Sequence, residues 1–240
     1  MNKYFYNIIE KKMVNKLKKK IISFCLYGIN SKRDKIRKYY DGIFVNYLLA
    51  KKIYPDWICR IYIDCNVPTD LIDPLMNIDN LEIIILKTNI PFTCIRFLPF
   101  DDKNVDIWIS RDLDSIISNR EKVAVDEWIK SEKTMHIIHD HKHHLDPVLA
   151  GMFGIKNTFI FNYISILNNT EIINSFKQHN NIYIYDQILL KIIFNRYYKN
   201  NYIQHYRDGY KHENSFPLIH PGEFIGKAYN MEYIRKKMGI

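Results

Sequence analysis

Four short apolar runs, each closed by a polar or glycine-bearing turn, set the tightest limit on how this chain can fold. They are IISFCLYG (residues 21–28), WICRIYID (57–64), LEIIIL (81–86) and VDIWIS (105–110). Runs of this length suit strands buried on both faces and are too short for core helices. Between the first and second, Ile43, Tyr47 and Ala50 keep helical spacing, and Pro55 supplies the stop. After the fourth, Ser118 and Glu121 form a capping-box pattern ahead of a helix in which Ala124 and Trp128, and Val125 and Ile129, sit four apart. MHII, from Met135, predicts a further strand. The polar stretch INSKRDKIRK reads as a basic loop, the part after residue 145 leans helical, and residues 209–226 read as an irregular tail. The resulting order, β-α-β-α-β-β-α-β, predicts an α/β domain with a Rossmann-like, mainly parallel central sheet. Ligands of such sheets sit beyond the carboxyl ends of the strands.

With 240 residues, 47% of them hydrophobic, the chain can bury a core of its own and is too apolar for general disorder. The net charge of +9 points toward nucleic acid only until it is located. Residues 1–38 hold twelve Lys and Arg against Glu10 and Asp34, so the rest of the chain is close to neutral. A nucleic-acid reader needs its basic stripe on the domain that reads. The division expected is therefore a basic leader over residues 1–19 and one domain over 20–240, with no nucleic-acid partner. The leader reads either as a solvated, frayed helix or as a segment drawn to an anionic membrane surface or acidic partner, since Tyr4, Phe5, Ile8 and Ile9 accompany its lysines. No run approaches the ~18–20 apolar residues of a membrane span, and lysines interrupt the start where a signal peptide needs a continuous apolar stretch. Cys25, Cys59, Cys65 and Cys94 form no CxxC pair, which favours a reducing compartment, and a cytoplasmic location is expected.

Asp112 and Asp114 follow the fourth strand at a spacing that turns both carboxylates to one side if the extended backbone persists. Two hard oxygen donors at a strand end suit Mn²⁺ or Mg²⁺, which bridges a diphosphate and offsets its charge as it departs. Arg111 adjoins them as a candidate phosphate grip, ahead of Arg96, which reads as an ordinary ion-pair partner. In HDHKHH, His139, His141, His143 and His144 surround Asp140, as a polar loop facing a ligand, as solvated surface or as a zinc clasp. Gly151 and Gly154 in GMFG permit close backbone approach to a ligand, and equally form turns. Asp186 in YDQILL is favoured by the helix dipole if a helix starts there.

The stretch from Arg96 to His144, with GMFG just after it, resembles a group of GT-A-type glycosyltransferase-like proteins of bacteria and large DNA viruses. The matching motifs are SRDLDS, NRE, a Trp-bearing helix, HDHKHH, SFCLYG with the Tyr39–Tyr40 pair, YPDW and FIG, covering roughly residues 20–230. Departures are His139 where Arg is expected and Phe153 where Trp is commoner. The resemblance implies a soluble, metal-dependent glycosyltransferase that moves a sugar from a nucleotide-diphosphate donor to a carbohydrate or other hydroxyl acceptor. In that reading Asp112 and Asp114 hold Mn²⁺ or Mg²⁺, His205 or else His220 completes the metal site, and Lys227 lies near the diphosphate. Ser23, Tyr27 and Tyr40 lie by the nucleotide, Arg111 and Gly151 by the donor, and Asp140 and Asp186 face the sugar or acceptor as catalytic carboxylates. The alternative of another class is a non-catalytic module that binds a nucleotide sugar or a glycan.

Overall fold

A computed structural model describes residues 3–28, 33–179, 184–207, 215–216 and 223–240. A strand at the amino terminus, β1 (Tyr6–Lys12), precedes β2 (Lys19–Leu26), α1 (Arg33–Ile53), β3 (Ile58–Asp64), α2 (Thr69–Met76), β4 (Leu81–Thr88), β5 (Val105–Ser110), α3 (Asn119–Lys130) and β6 (Met135–His139). From β2 to β6 this is the order expected from the sequence. Then follow β7 (Phe153–Lys156), α4 (Tyr163–Leu167), α5 (Thr170–Lys177), α6 (Tyr185–Ile193), β8 (Tyr202–Arg207), β9 (Ser215–Phe216) and α7 (Met231–Lys237). A 3-10 stretch, Phe92–Asp101, joins β4 to β5.

The strands form one sheet in the order β1-β4-β3-β2-β5-β7-β6-β8-β9. β4, β3, β2 and β5 run parallel, as do β6, β8 and β9, whereas β1 is antiparallel to β4 and β7 is antiparallel to both its neighbours. The sheet is thus mainly parallel. Its strands read as unbroken apolar runs because both faces are covered. Ile21, Ile84, Leu86 and Trp108 face α4, α5, α6 and the 3-10 stretch, while Ile22, Phe24, Ile61, Ile83 and Ile109 face α1, α2 and Trp128 of α3.

The chain steps from β2 outward to β3 and β4, then returns to the other side of β2 with β5. The strand order therefore reverses between β2 and β5, which opens a crevice at their carboxyl ends. The amino ends are closed by charge. Glu82 accepts from Lys19 and from Arg60 at 2.6 Å each, and Arg60 reaches Asp102 at 2.8 Å, with Lys19, Arg60 and Glu82 all buried. Two positive and two negative groups compensate one another there, leaving the opposite end for ligands.

Three expectations are corrected. Residues 3–19 do not form a frayed helix apart from the sheet: β1 pairs with β4, Tyr4 N–H donates to Asn168 at 2.6 Å, and Val14 N–H donates to Glu82 at 3.1 Å. Aromatic and β-branched residues in YFYNII favour the strand, and Tyr4 and Tyr6 pack on the core. The stretch expected as a basic loop already belongs to α1 from Arg33 onward. The part after residue 145 also contains β7 and β8, whose four and six residues carry too little periodicity to separate from helix. Residues 209–214 and 217–222 of the expected tail lie outside the described residues. All four cysteines are free thiols. Among the described residues no helix is long and apolar enough to cross a membrane.

Candidate functional site

Beyond Ser110 the chain leaves the sheet into a turn over Leu113 and Asp114, in which Arg111 and Leu113 are buried and Asp112 and Asp114 are half-buried. Several contacts hold this short segment. Arg111 N–H donates to the Ser23 carbonyl at 3.1 Å, carrying the β2–β5 pairing one step past the strand. Ser115 donates to the Asp112 carbonyl from both its N–H (3.2 Å) and its hydroxyl (2.9 Å). Asn46, buried on α1, donates to the Ser115 carbonyl at 2.8 Å and accepts from Ile117 N–H at 3.0 Å. Gly42, one turn earlier on α1, sits where a β-carbon would overlap the Leu113 carbonyl, so only glycine lets the helix approach the Asp-x-Asp backbone this closely.

A buried guanidinium organises the centre. Arg96, in the 3-10 stretch, donates to Asp112 through Nη1 and to Asp186 through Nη2, the latter at 2.6 Å. Its own carbonyl accepts the Ser23 hydroxyl at 2.6 Å, tying it to β2. Burial raises the Asp186 carboxyl above its ordinary value, and Arg96 opposes that rise. Gln187, next on α6, accepts from Ala150 N–H at 3.0 Å and donates to the Val148 carbonyl, fixing the loop that leads to Gly151. At Gly151 a β-carbon would overlap the Asp112 carboxylate, so the backbone passes directly against that group. Ser23, Arg96, Asp112, Gly151 and Asp186 thus meet in one place, drawn from five separate parts of the chain. Tyr27, just past β2, lies with its ring 5.5 Å from Phe92, and burial raises its phenol.

Residues 223–230 cross over the neighbouring strand ends. Tyr229 N–H donates to the Asp114 carbonyl at 2.8 Å, and Ile225 N–H donates to Asp140 at 2.8 Å. Lys227 lies between these anchors, 3.2 Å from Glu223 and 5.3 Å from the centre of the Tyr229 ring. Asp140, directly after β6, is fully buried, and one of its oxygens also accepts from Arg120. Its other oxygen, Oδ1, has no hydrogen-bond partner among the described residues. Burial raises this carboxyl too, against Ile225 N–H and Arg120. The rings of His141 and His144 pack on Phe224 at 4.3 and 5.7 Å, which makes HDHKHH a packed loop beside Asp140.

Other expected site residues are placed elsewhere. Arg111 turns away from the aspartates: it is buried, donates to the carbonyls of Ser110 (2.7 Å) and Phe153 (3.2 Å), and lies 3.0 Å from the buried Glu121. Arg96 is thus the ion-pair partner of aspartates that was expected, whereas Arg111, expected to grip phosphate, is itself paired with Glu121. His205 has both ring nitrogens engaged, Nδ1 at 3.0 Å from His136 and Nε2 at 3.0 Å from Glu127, and so is not presented to Asp112 and Asp114. Tyr40 is buried on α1 with its ring 5.2 Å from Phe44, in the core cluster that also holds Leu113. His220 lies outside the described residues. Among the described residues no group of three or more His, Cys, Asp or Glu is gathered as a metal cage. Asn46 and Gly42 escaped the sequence reading, since an Asn and a Gly inside a helical pattern announce nothing until the loop they touch is known.

No protein-family model matches the chain, and no curated protein matches it. Among solved structures, 4-diphosphocytidyl-2C-methyl-D-erythritol synthase from Anaerococcus prevotii is similar, with a TM-score of 0.47 and 9% identity over 93% of this chain and 99% of that one. A likeness of that degree does not bear on which ligand this chain takes.

Proposed function

We propose that the chain is a GT-A-like glycosyltransferase that binds a nucleotide-diphosphate sugar together with Mn²⁺ or Mg²⁺ and passes the sugar to an acceptor hydroxyl. The observation that carries this is the place of two half-buried aspartates, Asp112 and Asp114, just past β5 at the carboxyl ends where the strand order reverses, with Gly151 against Asp112. Arg96 is one positive charge set between two carboxylates, Asp112 and Asp186, so negative charge exceeds positive within that cluster. A bare diphosphate would be repelled there, and a divalent cation reverses that balance. The donor set fits such an ion: Mg²⁺ keeps several waters and takes one or two carboxylates plus phosphate oxygens, so two aspartates without a third protein ligand suffice. When bound, the metal supplies Lewis-acid stabilisation to the departing diphosphate.

The chain's own residues orient the donor. Ser23, buried within β2, holds Arg96 by its hydroxyl, Tyr27 stands just past the end of that strand, beside which the nucleotide would lie, and Gly151 leaves backbone room for the donor. Asp186, held by Arg96, and Asp140, with one buried oxygen that has no hydrogen-bond partner among the described residues, are the carboxylates for sugar hydroxyls and for the acceptor's proton. In the transfer the bond from the anomeric carbon to phosphate oxygen breaks with its electrons leaving on the diphosphate. The acceptor oxygen bonds that carbon and gives up its proton. The sealed position of Asp140 beneath Ile225 favours a second reading, a module that binds the donor without transferring it.

Calorimetry with nucleoside diphosphates in the presence and absence of Mn²⁺ tests the metal site. Affinity should depend on the metal, and Asp114→Ala should abolish that dependence while the fold persists. Equal affinity with and without metal would refute it. Release of nucleoside diphosphate from a donor panel, accelerated by acceptor, separates the enzyme from the module.

A further inference from the structure

We infer that the amino-terminal edge of the sheet, β1 and the loop that follows it, docks on an anionic lipid surface. β1 is the outermost strand on its side, and its side chains are mostly exposed. Phe5 and Ile9 are each 57% exposed and Leu17 is 76% exposed, and Ile8 and Met13 also face solvent. Between them stand the exposed Lys3, Lys11, Lys16 and Lys18, with Glu10 the one acidic residue of the segment. Aliphatic side chains interleaved with ammonium groups match the boundary between acyl chains and anionic headgroups.

Two other occupants match the edge less well. A second strand would need a regular, uncharged edge, but the β1 register slips between Ile8 and Glu10, and a bulge and edge lysines both oppose strand addition. Single-stranded nucleic acid would need aromatic platforms for its bases, and the apolar side chains most exposed here are largely aliphatic. The segment is not a loose tail. Pairing to β4 and the anchors of Tyr4 on Asn168 and Val14 on Glu82 hold its backbone, so the side chains are presented in a fixed array. Deleting the segment would remove a strand of the sheet, so point substitutions on exposed side chains are the appropriate probe.

The test is co-sedimentation of the full chain with vesicles of phosphatidylcholine alone or mixed with phosphatidylglycerol. Two variants are compared, Ile9→Ser with Leu17→Ser, and Lys11→Gln with Lys16→Gln and Lys18→Gln. The expected result is binding to the anionic vesicles only, reduced about tenfold or more in each variant, with salt weakening the contribution of the lysines. Unchanged urea midpoints would show that neither variant acts through unfolding. Equal binding by all three proteins, binding to neutral vesicles as strong as to anionic ones, or no binding would overturn the proposal. So would a dimer by light scattering that Ile9→Ser dissolves, or retention on single-stranded DNA in place of vesicles.

Discussion

Arg96 and Asp186 stand ninety residues apart in the chain and 2.6 Å apart in the fold, both buried beneath the crevice. Their pairing makes Arg96 the positive centre to which Asp112 is also fastened. Breaking a buried pair by removing one partner leaves the other charge uncompensated. Arg96→Met should therefore cost about 3–5 kcal/mol, read from urea denaturation. The double variant with Asp186→Asn should recover part of that loss, since the stranded carboxylate is then gone.

Gly151→Ala separates binding from folding. The new methyl group would fall on the Asp112 carboxylate, the flexible end of a half-exposed side chain, which can swing aside at small cost to the fold. The expected outcome is an unfolding midpoint close to that of the unaltered protein, with metal-dependent nucleotide affinity reduced tenfold or more by calorimetry. Gly42→Ala should show the reverse emphasis, a large stability loss, because its methyl group meets the rigid Leu113 carbonyl.

Asn46→Ala removes both hydrogen bonds by which α1 grips the segment after Asp114, and leaves the Ser115 carbonyl and Ile117 N–H without that partner. A loss of about 2–3 kcal/mol is expected. Amide hydrogen exchange should report faster exchange at Ile117 before any change in the central strands.

Acid should weaken the fold through its buried histidines. His136 lies wholly inside, stacked on Trp128 and bonded to His205, and burial drives its pKa well below 6.5, with His205 and Arg111 adding to the fall. Burial lowers His205 as well, against the opposing influence of Glu127. Below pH 6.5 the unfolded chain binds protons that the native state refuses, so stability is present above that value and is lost as pH falls. Asp140 and Asp186 act in the opposite sense at lower pH, because burial raises both from 3.8 and their native forms take up protons first. Urea midpoints between pH 7.5 and 5 should decline, and His136→Gln, which keeps a polar partner for His205 without titrating, should flatten that decline.

The central sheet was legible because β2, β3, β4 and β5 are buried on both faces and so spell themselves as apolar runs. VDIWIS matches β5 end to end, and Ser118 caps α3 by accepting from Glu121 N–H at 3.2 Å. The place of the Asp-x-Asp pair directly after β5 was legible too, but the turn that bends it after Asp112 was not. What the sequence concealed were relations across the fold. Nothing near Arg96 announces Asp186, and nothing in Glu121 shows that its carboxylate turns to Arg111 and Tyr54 rather than to the helix cap. β1 escaped because its side chains face solvent on an edge, and an exposed strand rich in lysine carries the pattern of neither a buried strand nor an amphipathic helix.

The place of β1 also orders events in time. It is made before its strand partner β4, which comes only after β2, α1, β3 and α2 have been made. Until then a stretch of lysines, tyrosines and isoleucines has nowhere to pair, and closing it onto β4 spans a long loop of chain. A strand made early thus waits for one made later, and a nascent chain halted before β4 would carry β1 unpaired.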